Sequence, residues 1–436
     1  MKQALTFRSA RAVPHQYHAN FHHLYLDIAW FGLLNGSAIA FVAVYAARLG
    51  ATPIQLGLIT AGPATVNLAF TLPAGRWLEG RSLGKAVFWT SVLNRIFYLL
   101  WAFLPFFLWP QDQIWLLIGL TLLMSIPGTA LAVGFNALFA EAVPPEWRGH
   151  VAGIRNALLA VSLIVTSFLC GLILNYLPFP LGYQVVFILG FLGAALSSFH
   201  LWFVRPLPGG KTPSPTDRAI GDLARPGSIR TLGDGSRASV GLRYLIQGTQ
   251  RLLRIDILAG PFGSIVMVLF AFHLAQYLAI PLFPIYYVDK LHLTDFEISL
   301  GTVIFYVMVL LGSTQLATLV DKLSNQRVMA IGVILLSGYP TLLALSHGVG
   351  GYYVASVVGG LAWGLVNGAL GNYVLDRAPR HDRPACLAWY NLAFNGAILL
   401  ASLAGPLLAD AIGISAALLL IALWRFLAAL SIWRWG

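Results

Sequence analysis

Twelve apolar stretches, separated by short polar segments, constrain the fold of this chain more than any other feature of its sequence. Each is about 20 residues long, the length that an α-helix needs to cross the hydrocarbon core of a bilayer. Because 58% of the 436 residues are hydrophobic and only 10% are charged, the chain cannot cover itself with polar surface as a soluble protein does. The sequence therefore predicts an all-α polytopic membrane protein with twelve transmembrane helices. We expect the helices to begin near residues 22, 54, 86, 114, 149, 182, 261, 295, 327, 351, 384 and 413.

The two halves of the chain repeat each other. One set of residues returns 235 positions later, so that Glu141, Pro144, Arg148 and Asn156 correspond to Asp376, Pro379, Arg383 and Asn391. A second set returns 242 positions later, so that Tyr45, Leu49, Thr52, Glu79 and Lys85 correspond to Tyr287, Leu291, Thr294, Asp321 and Arg327. Many secondary transporters are built from duplicated bundles that rock against each other around a central site. We therefore expect two pseudo-symmetric six-helix bundles, with transport as the leading function.

The basic residues lie mostly on one side of the predicted spans. That side carries Lys2, Arg8, Arg11, Arg76, Arg81, Lys85, Lys322, Arg327, Arg377, Arg380 and Arg383. The loops on the other side carry only Arg48 and Lys290. Because loops rich in Lys and Arg stay in the cytoplasm, we expect both termini to be cytoplasmic and the protein to lie in the cytoplasmic (inner) membrane. The first 19 residues lack the apolar segment of a removable signal peptide.

Residues 205–254 form the longest break in hydrophobicity and contain nine Lys or Arg and three Asp. This break predicts three units: a bundle over 1–204, a basic cytoplasmic linker over 205–256, and a second bundle over 257–436. The spacing of Leu and Arg at 240–256 is typical of a basic amphipathic helix that lies on anionic lipid. A nucleic-acid site is disfavoured there, because this stretch has a single aromatic residue and adjoins a membrane.

The segment that follows the second span carries a resemblance to a known family. Gly75-Arg-Trp-Leu-Glu79-Gly-Arg81-Ser-Leu-Gly-Lys85 resembles the Gly-x-Leu-Ala-Asp-Arg-x-Gly-Arg-Arg motif of the major facilitator superfamily. Gly75 and the acid Glu79 fall in place, whereas Ser82 replaces the second motif glycine. The order of six helices, a basic linker and six helices is also similar to that family. The resemblance implies alternating access around a cavity between the halves.

Glu79 is a candidate for a gate. An acid at the carboxyl end of a helix is disfavoured by the helix dipole and is better placed at the amino end of another helix. The resemblance implies that span 11, which begins near Pro384, starts across the interface from Glu79. We expect Glu79 to latch the halves together on the cytoplasmic side when the site faces outward; a solvated loop charge is the alternative. The neighbouring and repeated charges are further gate candidates, namely Arg81, Lys85, Asp321 and Arg327.

A second repeated motif places an acid at the end of one span and an arginine at the start of the next. Glu141 precedes Arg148 with the same spacing as Asp376 precedes Arg383. The acid can pair with the arginine across the tight loop. These residues are gate candidates as well, although their position at the rim favours a structural clamp.

Ionisable residues inside apolar spans are costly and are functional candidates by default. Asp27 in span 1 is our candidate for proton or cation coupling, because burial disfavours the charged form of a carboxylate. A structural ion pair of Asp27 with Arg95 is the alternative. Arg155 in span 5 is predicted either to contact an anionic substrate or to pair with Glu141.

Polar residues also form stripes on several spans. His273, Gln276 and Tyr277 share a face of span 7, Asn391 and Asn395 a face of span 11, and Trp363 and Asn367 a face of span 10. Asn35 lies near the face of Asp27 on span 1. Such stripes serve either as interhelical hydrogen bonds or as the lining of a substrate cavity. The resemblance places these helices around the cavity and favours substrate contact.

These observations predict a secondary active transporter, driven by protons, that moves a small organic solute, with drug or metabolite efflux as one direction. A lipid flippase of the same fold is the alternative; a membrane-embedded enzyme and a non-transporting sensor are disfavoured. We expect no cofactor and no metal site, because the sequence has no Walker loop and its two cysteines lack metal-ligand spacing. We expect a monomer with a small-molecule substrate, a coupling ion and bilayer lipid as its partners.

Overall fold

The computed structural model describes residues 15–207, 255–379 and 382–436. In these ranges, twelve helices are long and apolar enough to cross a membrane. They are α1 (Tyr17–Arg48), α2 (Pro53–Leu78), α3 (Leu83–Phe107), α4 (Pro110–Ala142), α5 (Pro145–Tyr176), α6 (Leu181–Leu201), α7 (Pro261–Lys290), α8 (Asp295–Thr314), α9 (Asn325–Ala344), α10 (Val349–Arg377), α11 (Ala385–Ile412) and α12 (Ile414–Trp435). The predicted twelve-helix architecture is confirmed.

Some helices begin earlier than predicted, because the helical backbone continues beyond the apolar run. The α1 helix extends back through polar residues to Tyr17. The α4 and α5 helices start at Pro110 and Pro145, where proline fits a first turn because its missing N–H needs no partner there. An even number of spans brings the start of α1 and the end of α12 to one face of the bundle. We call this the terminal face and the other the opposite face.

The helices of the two halves pack in the same pattern. In the first half, α1 packs against α5 and α6, α3 packs against α4 and α6, and α2 packs against α4. In the second half, α7 packs against α11 and α12, α9 against α10 and α12, and α8 against α10. Each pairing in the second half is the first-half pairing with six added to both helix numbers. The fold is therefore two six-helix bundles related by pseudo-symmetry.

The repeat extends to the details of helix capping. At the start of α2, Thr52 accepts a hydrogen bond from the N–H of Gln55 at 3.3 Å and returns its own N–H to Gln55 Oε1 at 2.8 Å. At the start of α8, Thr294 and Glu297 make the same reciprocal pair at 3.2 and 2.8 Å. Such a capping box satisfies two N–H groups that a helix start leaves without partners. The repeated threonines therefore define equivalent helix starts in the two halves.

Two seams join the halves, one between α2 and α11 and the other between α5 and α8. At the α5–α8 seam, Ser299 Oγ donates a hydrogen bond to the carbonyl oxygen of Ser167 at 2.5 Å. At the α2–α11 seam, a methyl group added to Gly57 would collide with the carbonyl oxygen of Ser402. The α2–α11 seam is therefore a close backbone approach that only glycine allows.

An ion pair also joins the halves at the opposite face. Arg48, at the end of α1, lies 2.9 Å from the carboxylate of Asp295 at the start of α8. The same guanidinium donates to the carbonyl oxygen of Leu293. These contacts tie the halves together at the opposite face.

The predicted linker lies mostly outside the described residues, as does most of the predicted lipid-binding segment at 240–256. Its first residues follow α6 and are held by Asn20 on α1. Asn20 Nδ2 donates to the carbonyl oxygen of Arg205 at 2.8 Å, and Asn20 Oδ1 accepts from the N–H of Arg205 at 3.0 Å. The chain that leaves α6 is therefore fastened to α1 at the terminal face.

Candidate functional site

Asp27 on α1 is buried, with 3% of its surface exposed. One carboxylate oxygen accepts from Arg155 Nη2 on α5 at 3.0 Å, and the other accepts from Ser197 Oγ on α6 at 2.5 Å. Removing charges from water is costly unless they are paired and hydrogen-bonded. The cluster meets that requirement, so the charge of Asp27 is balanced inside the first bundle.

Arg155 connects three helices through one guanidinium. Besides Asp27, it donates to the carbonyl oxygen of Leu24 on α1. Its guanidinium carbon lies 5.0 Å from the ring centroid of Phe135 on α4. A guanidinium over an aromatic face gains a further electrostatic attraction. Arg155 is 4% exposed, so this arrangement is a packed part of the bundle.

The partner of Asp27 corrects one of the alternatives taken from the sequence. In the ion-pair alternative, Arg95 on α3 is the possible partner of Asp27, whereas in the structure Asp27 pairs with Arg155. Arg95 instead donates to the carbonyl oxygen of Ala194 at 3.0 Å and to Ser198 Oγ at 2.7 Å, both on α6. The reason is helix packing, because α1 packs against α5 whereas α3 packs against α4 and α6. Arg95 thus supports the first bundle through α6.

The equivalent place in the second bundle holds aromatic groups. Tyr390 on α11 stands 235 positions after Arg155 and, like Arg155, faces the first helix of its half. Its hydroxyl lies 3.1 Å from His273 Nε2 on α7, and the His273 ring is 4.6 Å from the ring of Phe394. Tyr277 also contacts Phe394, with 5.8 Å between ring centroids. The charged cluster of the first bundle is thus replaced by an aromatic one in the second.

A row of polar side chains lies along α11. Asn391, Asn395 and Ser402 are 4%, 1% and 0% exposed. Asn395 Nδ2 donates to the backbone carbonyl of Asn391 at 2.9 Å. Within the described part of the chain, the two Asn Oδ1 atoms and Ser402 Oγ have no hydrogen-bond partner. Buried polar atoms are rarely left in this state without a reason.

The other predicted cavity residues are distributed over α1, α7 and α10. Asn35 lies in a π-helical segment of α1, Asn35–Ile39, and donates to the carbonyl oxygen of Phe31 at 2.9 Å. Gln276 and Trp363 are buried, and neither Gln276 Oε1 nor Trp363 Nε1 has a partner among the described residues. Asn367 is half-buried on α10. Their contact with a substrate stays a prediction.

The predicted gate residues of the first half gather at the terminal face. Glu79, Arg81, Lys85, Glu141 and Arg205 line one cleft. Glu79 is exposed, and the guanidinium of Arg81 lies 4.6 Å from the ring centroid of Trp77. Residues 380 and 381, just before α11, lie outside the described ranges. The proposed latch from Glu79 to α11 therefore stays a prediction.

The repeated arginines at the starts of α5 and α11 bond to carbonyl oxygens. Arg148 donates to the carbonyl oxygen of Ala140, in the last turn of α4, at 2.8 Å and to that of Val143, the residue after α4, at 3.1 Å. Arg383 donates to the carbonyl oxygen of Leu375 on α10 at 3.3 Å. A cation at a helix carboxyl end satisfies free carbonyls and complements the dipole. Both arginines thus cap the preceding helix.

The remaining gate candidates lie in the second half. Asp376 accepts a hydrogen bond from Asn325 Nδ2 at 2.7 Å. Arg327 lies with its guanidinium 5.9 Å from the ring centroid of Trp433, and Asp321 is exposed. A role of these residues in gating stays a prediction.

Two buried polar residues, Arg425 on α12 and Ser197 on α6, were not among the candidates predicted from the sequence. Arg425 on α12 is 1% exposed and donates to the carbonyl oxygens of Leu336 at 3.1 Å and Ala275 at 3.3 Å. An arginine near the middle of an apolar run is the signal that could have found it. Ser197 carries no such signal, because serine is common in transmembrane helices. In the described residues, no group of three or more His, Cys, Asp or Glu side chains is placed to hold a metal ion.

The fold and its buried polar groups define a membrane protein of the transporter type, with two repeated bundles that meet at two seams. The chain belongs to the Major Facilitator Superfamily, whose sequence model matches residues 28–263 and 265–436. The predicted family is thereby confirmed.

Part of the chain is similar in sequence to a bacterial drug-resistance protein. A stretch of 133 residues, 30% of this chain, is 27% identical to the quinolone resistance protein NorA of Staphylococcus aureus. The chain spans about a third (34%) of the length of the curated relatives that it matches in this way.

The solved structures are similar over nearly the whole chain. A bacterial homologue of the iron transporter ferroportin, in an inward-facing state, has a TM-score of 0.68 at 14% identity and covers 96% of this chain and 98% of its own. A mutant of the nucleoside transporter NupG has a TM-score of 0.66 at 14% identity, with coverage of 95% and 99%. At this identity the likeness shows the fold alone.

Proposed function

We propose that this protein is a secondary active transporter that exchanges protons for a small organic solute by alternating access. The observation that carries the proposal is the buried cluster of Asp27, Arg155 and Ser197, which links α1, α5 and α6 within the first bundle. Ionisable groups inside a membrane mark ion pathways and proton relays. The two seams between the pseudo-symmetric bundles supply the surfaces along which the halves move.

The coupling step is proton binding to Asp27. A proton removes the negative charge that holds Arg155, and a buried arginine without a counter-charge is strongly disfavoured. Arg155 then needs another partner, which requires α5 to move relative to α1. Protonation is thereby converted into a change of helix packing.

Export of an amphipathic organic solute is the direction that we favour. The similarity to a quinolone resistance protein supports this direction. The aromatic cluster of His273, Tyr277, Tyr390 and Phe394 also suits a flat, partly apolar solute. Movement of a lipid is the alternative that the experiment has to separate.

We propose the cytoplasmic membrane as the location, with both termini in the cytoplasm, because Lys and Arg are concentrated at the terminal face. Anionic lipid contacts the segment 240–256, which lies mostly outside the described residues. The functional unit is a monomer. The distribution of Lys and Arg supports the orientation and the lipid contact. The presence of both six-helix bundles in one chain supports the monomer.

Transport by inverted membrane vesicles tests the proposal. Energised vesicles with the wild-type protein should accumulate a fluorescent quinolone, and collapse of the pH gradient should release it. Asp27→Asn should abolish this accumulation, whereas Asp410→Asn, at an exposed carboxylate on α11, should retain it. Movement of a fluorescent phospholipid without quinolone accumulation would favour the flippase. Absence of both activities in wild-type vesicles would refute the proposed function.

A further inference from the structure

We infer that the α2–α11 seam holds a binding site for a solute that donates hydrogen bonds, and that Asn391, Asn395 and Ser402 supply its acceptors. The inference rests on the proposed transport function and names the chemical class of the solute. It is carried by three buried polar side chains whose oxygen atoms have no partner among the described residues.

The three residues share one face of α11. Asn395 follows Asn391 by one helical turn and precedes Ser402 by two turns, so all three point in nearly the same direction. Ala388 and Pro406 lie on this face as well, one turn outside the row at either end. The position of the row therefore follows from what these two flanking residues contact.

Both flanking residues contact α2. Ala388 is buried against Leu72, and the side chain of Pro406 would lie 3.2 Å from a methyl group added to Gly57. The polar row stands between these two contacts, so it faces the seam between the halves. Asn395 and Ser402 each lie within about one turn of the middle of α11 (Ala385–Ile412), the depth at which secondary transporters bind their substrates.

Each of the three free atoms can accept a hydrogen bond. The amide nitrogen of Asn395 is committed to the carbonyl of Asn391, which fixes the orientation of the side chain and leaves Oδ1 as the free atom. Asn391 Oδ1 and Ser402 Oγ are free in the same sense. Two amide oxygens, and the Ser402 hydroxyl, which can accept as well as donate, suit hydroxyl, amide or amine hydrogens and give no counter-charge to an anion. The site thus selects for donors.

An aromatic wall adjoins the row. Tyr390 and Phe394 precede Asn391 and Asn395 by one residue each, so their rings lie on the neighbouring face of α11. The two rings are stacked at an interplanar angle of 18°, with 6.2 Å between centroids. A solute with an aromatic ring and a hydrogen-bond donor therefore fits both the aromatic rings and the row of polar side chains.

The closed seam explains why the acceptors are buried here. At Gly57 the backbones of α2 and α11 are in close approach, which leaves no room for a solute beside Ser402. Separation of the two helices in another state of the cycle uncovers the whole row. The solute then supplies the hydrogen bonds that the closed seam lacks.

The test uses two probes that differ in one hydrogen-bond donor, 2-naphthylmethanol and its methyl ether. Their affinities for the purified full-length protein are measured by calorimetry. Wild type should bind the alcohol about tenfold more tightly than the ether, because the ether has no hydrogen to donate to the buried acceptors. Asn395→Leu should reduce binding of the alcohol about three- to tenfold and leave binding of the ether unchanged.

Ser402→Ala is a second variant, which changes the side-chain volume little. It should also reduce the difference in affinity between the alcohol and the ether. Asn175→Leu, at an exposed asparagine on α5, is the matched control and should leave the difference intact. Equal binding of alcohol and ether by wild type, or an unchanged difference in both seam variants, would overturn the inference while leaving transport in place. Absence of saturable binding of either probe would overturn it as well, and the vesicle assay alone would then decide the proposed function.

Discussion

Gly57 on α2 and Ser299 on α8 occupy equivalent positions 242 residues apart, yet they join the two halves by different means. Ser299 donates its hydroxyl to the carbonyl of Ser167, whereas Gly57 brings its backbone against the carbonyl of Ser402. The two serines whose carbonyl groups are contacted, Ser167 and Ser402, are themselves equivalent, 235 residues apart. One seam is therefore held by a directional bond and the other by a close fit that no larger residue permits.

Gly57→Ala should force the α2–α11 seam apart, because the added methyl group would collide with the carbonyl oxygen of Ser402. Overpacking of this kind typically costs about 1–3 kcal/mol. We expect a lower Tm and faster labelling of a cysteine placed at Ser402. Gly119→Ala is the control, because its methyl group would meet no atom within 4 Å. Wild-type labelling and Tm in Gly57→Ala would contradict the assigned close approach.

Ser299→Ala should have a smaller effect. It removes one hydrogen bond to Ser167, worth about 0.5–1.5 kcal/mol net, and adds no bulk. We expect a modest decrease in Tm and continued transport. A complete loss of transport in this variant would show that the α5–α8 bond does more than hold the seam.

The Asp27–Arg155 pair should be more sensitive to the loss of one partner than to the loss of both. Arg155→Leu leaves a buried carboxylate without its counter-charge and should cost about 3–5 kcal/mol. The double variant Asp27→Leu with Arg155→Leu should recover most of that stability. Thermal unfolding of the two single variants and the double variant measures the coupling. Additive losses would show that the two charges do not depend on each other.

The Arg48–Asp295 pair should act as a weak lock at the opposite face. Its side chains are 25% and 16% exposed, so solvent screens the attraction, and we expect a coupling of about 0.2–1 kcal/mol that falls with added salt. Asp295→Asn should raise the accessibility of a cysteine placed at Leu293. Exchange of the two charges, Arg48→Asp with Asp295→Arg, should restore the closed face. Equal accessibility in all of these proteins would contradict the lock.

Arg148→Gln should weaken the cap on α4 by about 0.3–1 kcal/mol, since a neutral side chain no longer complements the helix dipole. Arg383→Gln should have a similar effect on α10, because the two positions are equivalent. Amide hydrogen exchange in the last turn of each helix measures the change. Faster exchange in the loop that follows, with no change in the helix end, would argue against capping.

The architecture could be predicted from the sequence because its determinants are local and repeated. Apolar length defines the spans, and pairs such as Thr52 and Thr294 reveal the duplication before any packing is known. The partner of Asp27 could not be predicted in this way. It depends on which helices are neighbours, and Arg95 and Arg155 are both arginines in apolar spans. Only the packing of α1 against α5 distinguishes them.

Only the features of the candidate site that follow from local helical spacing could be predicted from the sequence. The polar stripe on α11 follows from helical spacing, so the shared face of Asn391 and Asn395 can be read from the sequence, while their contact with a solute stays a prediction. Their position on the seam with α2 depends on contacts of Ala388 and Pro406, which no local pattern encodes. The sequence repeat also singles out Arg148, but its bonds to the carbonyl oxygens of Ala140 and Val143 depend on the geometry of the connecting loop.

The central claim is that proton binding at Asp27 drives the movement of the solute. The most direct measurement follows the internal pH of proteoliposomes with a trapped dye while a quinolone gradient is applied and no pH gradient is imposed. Wild type should change the internal pH as the solute moves, whereas Asp27→Asn should still exchange labelled for unlabelled solute without a pH change. An equal pH change in wild type and in Asp27→Asn would contradict the account.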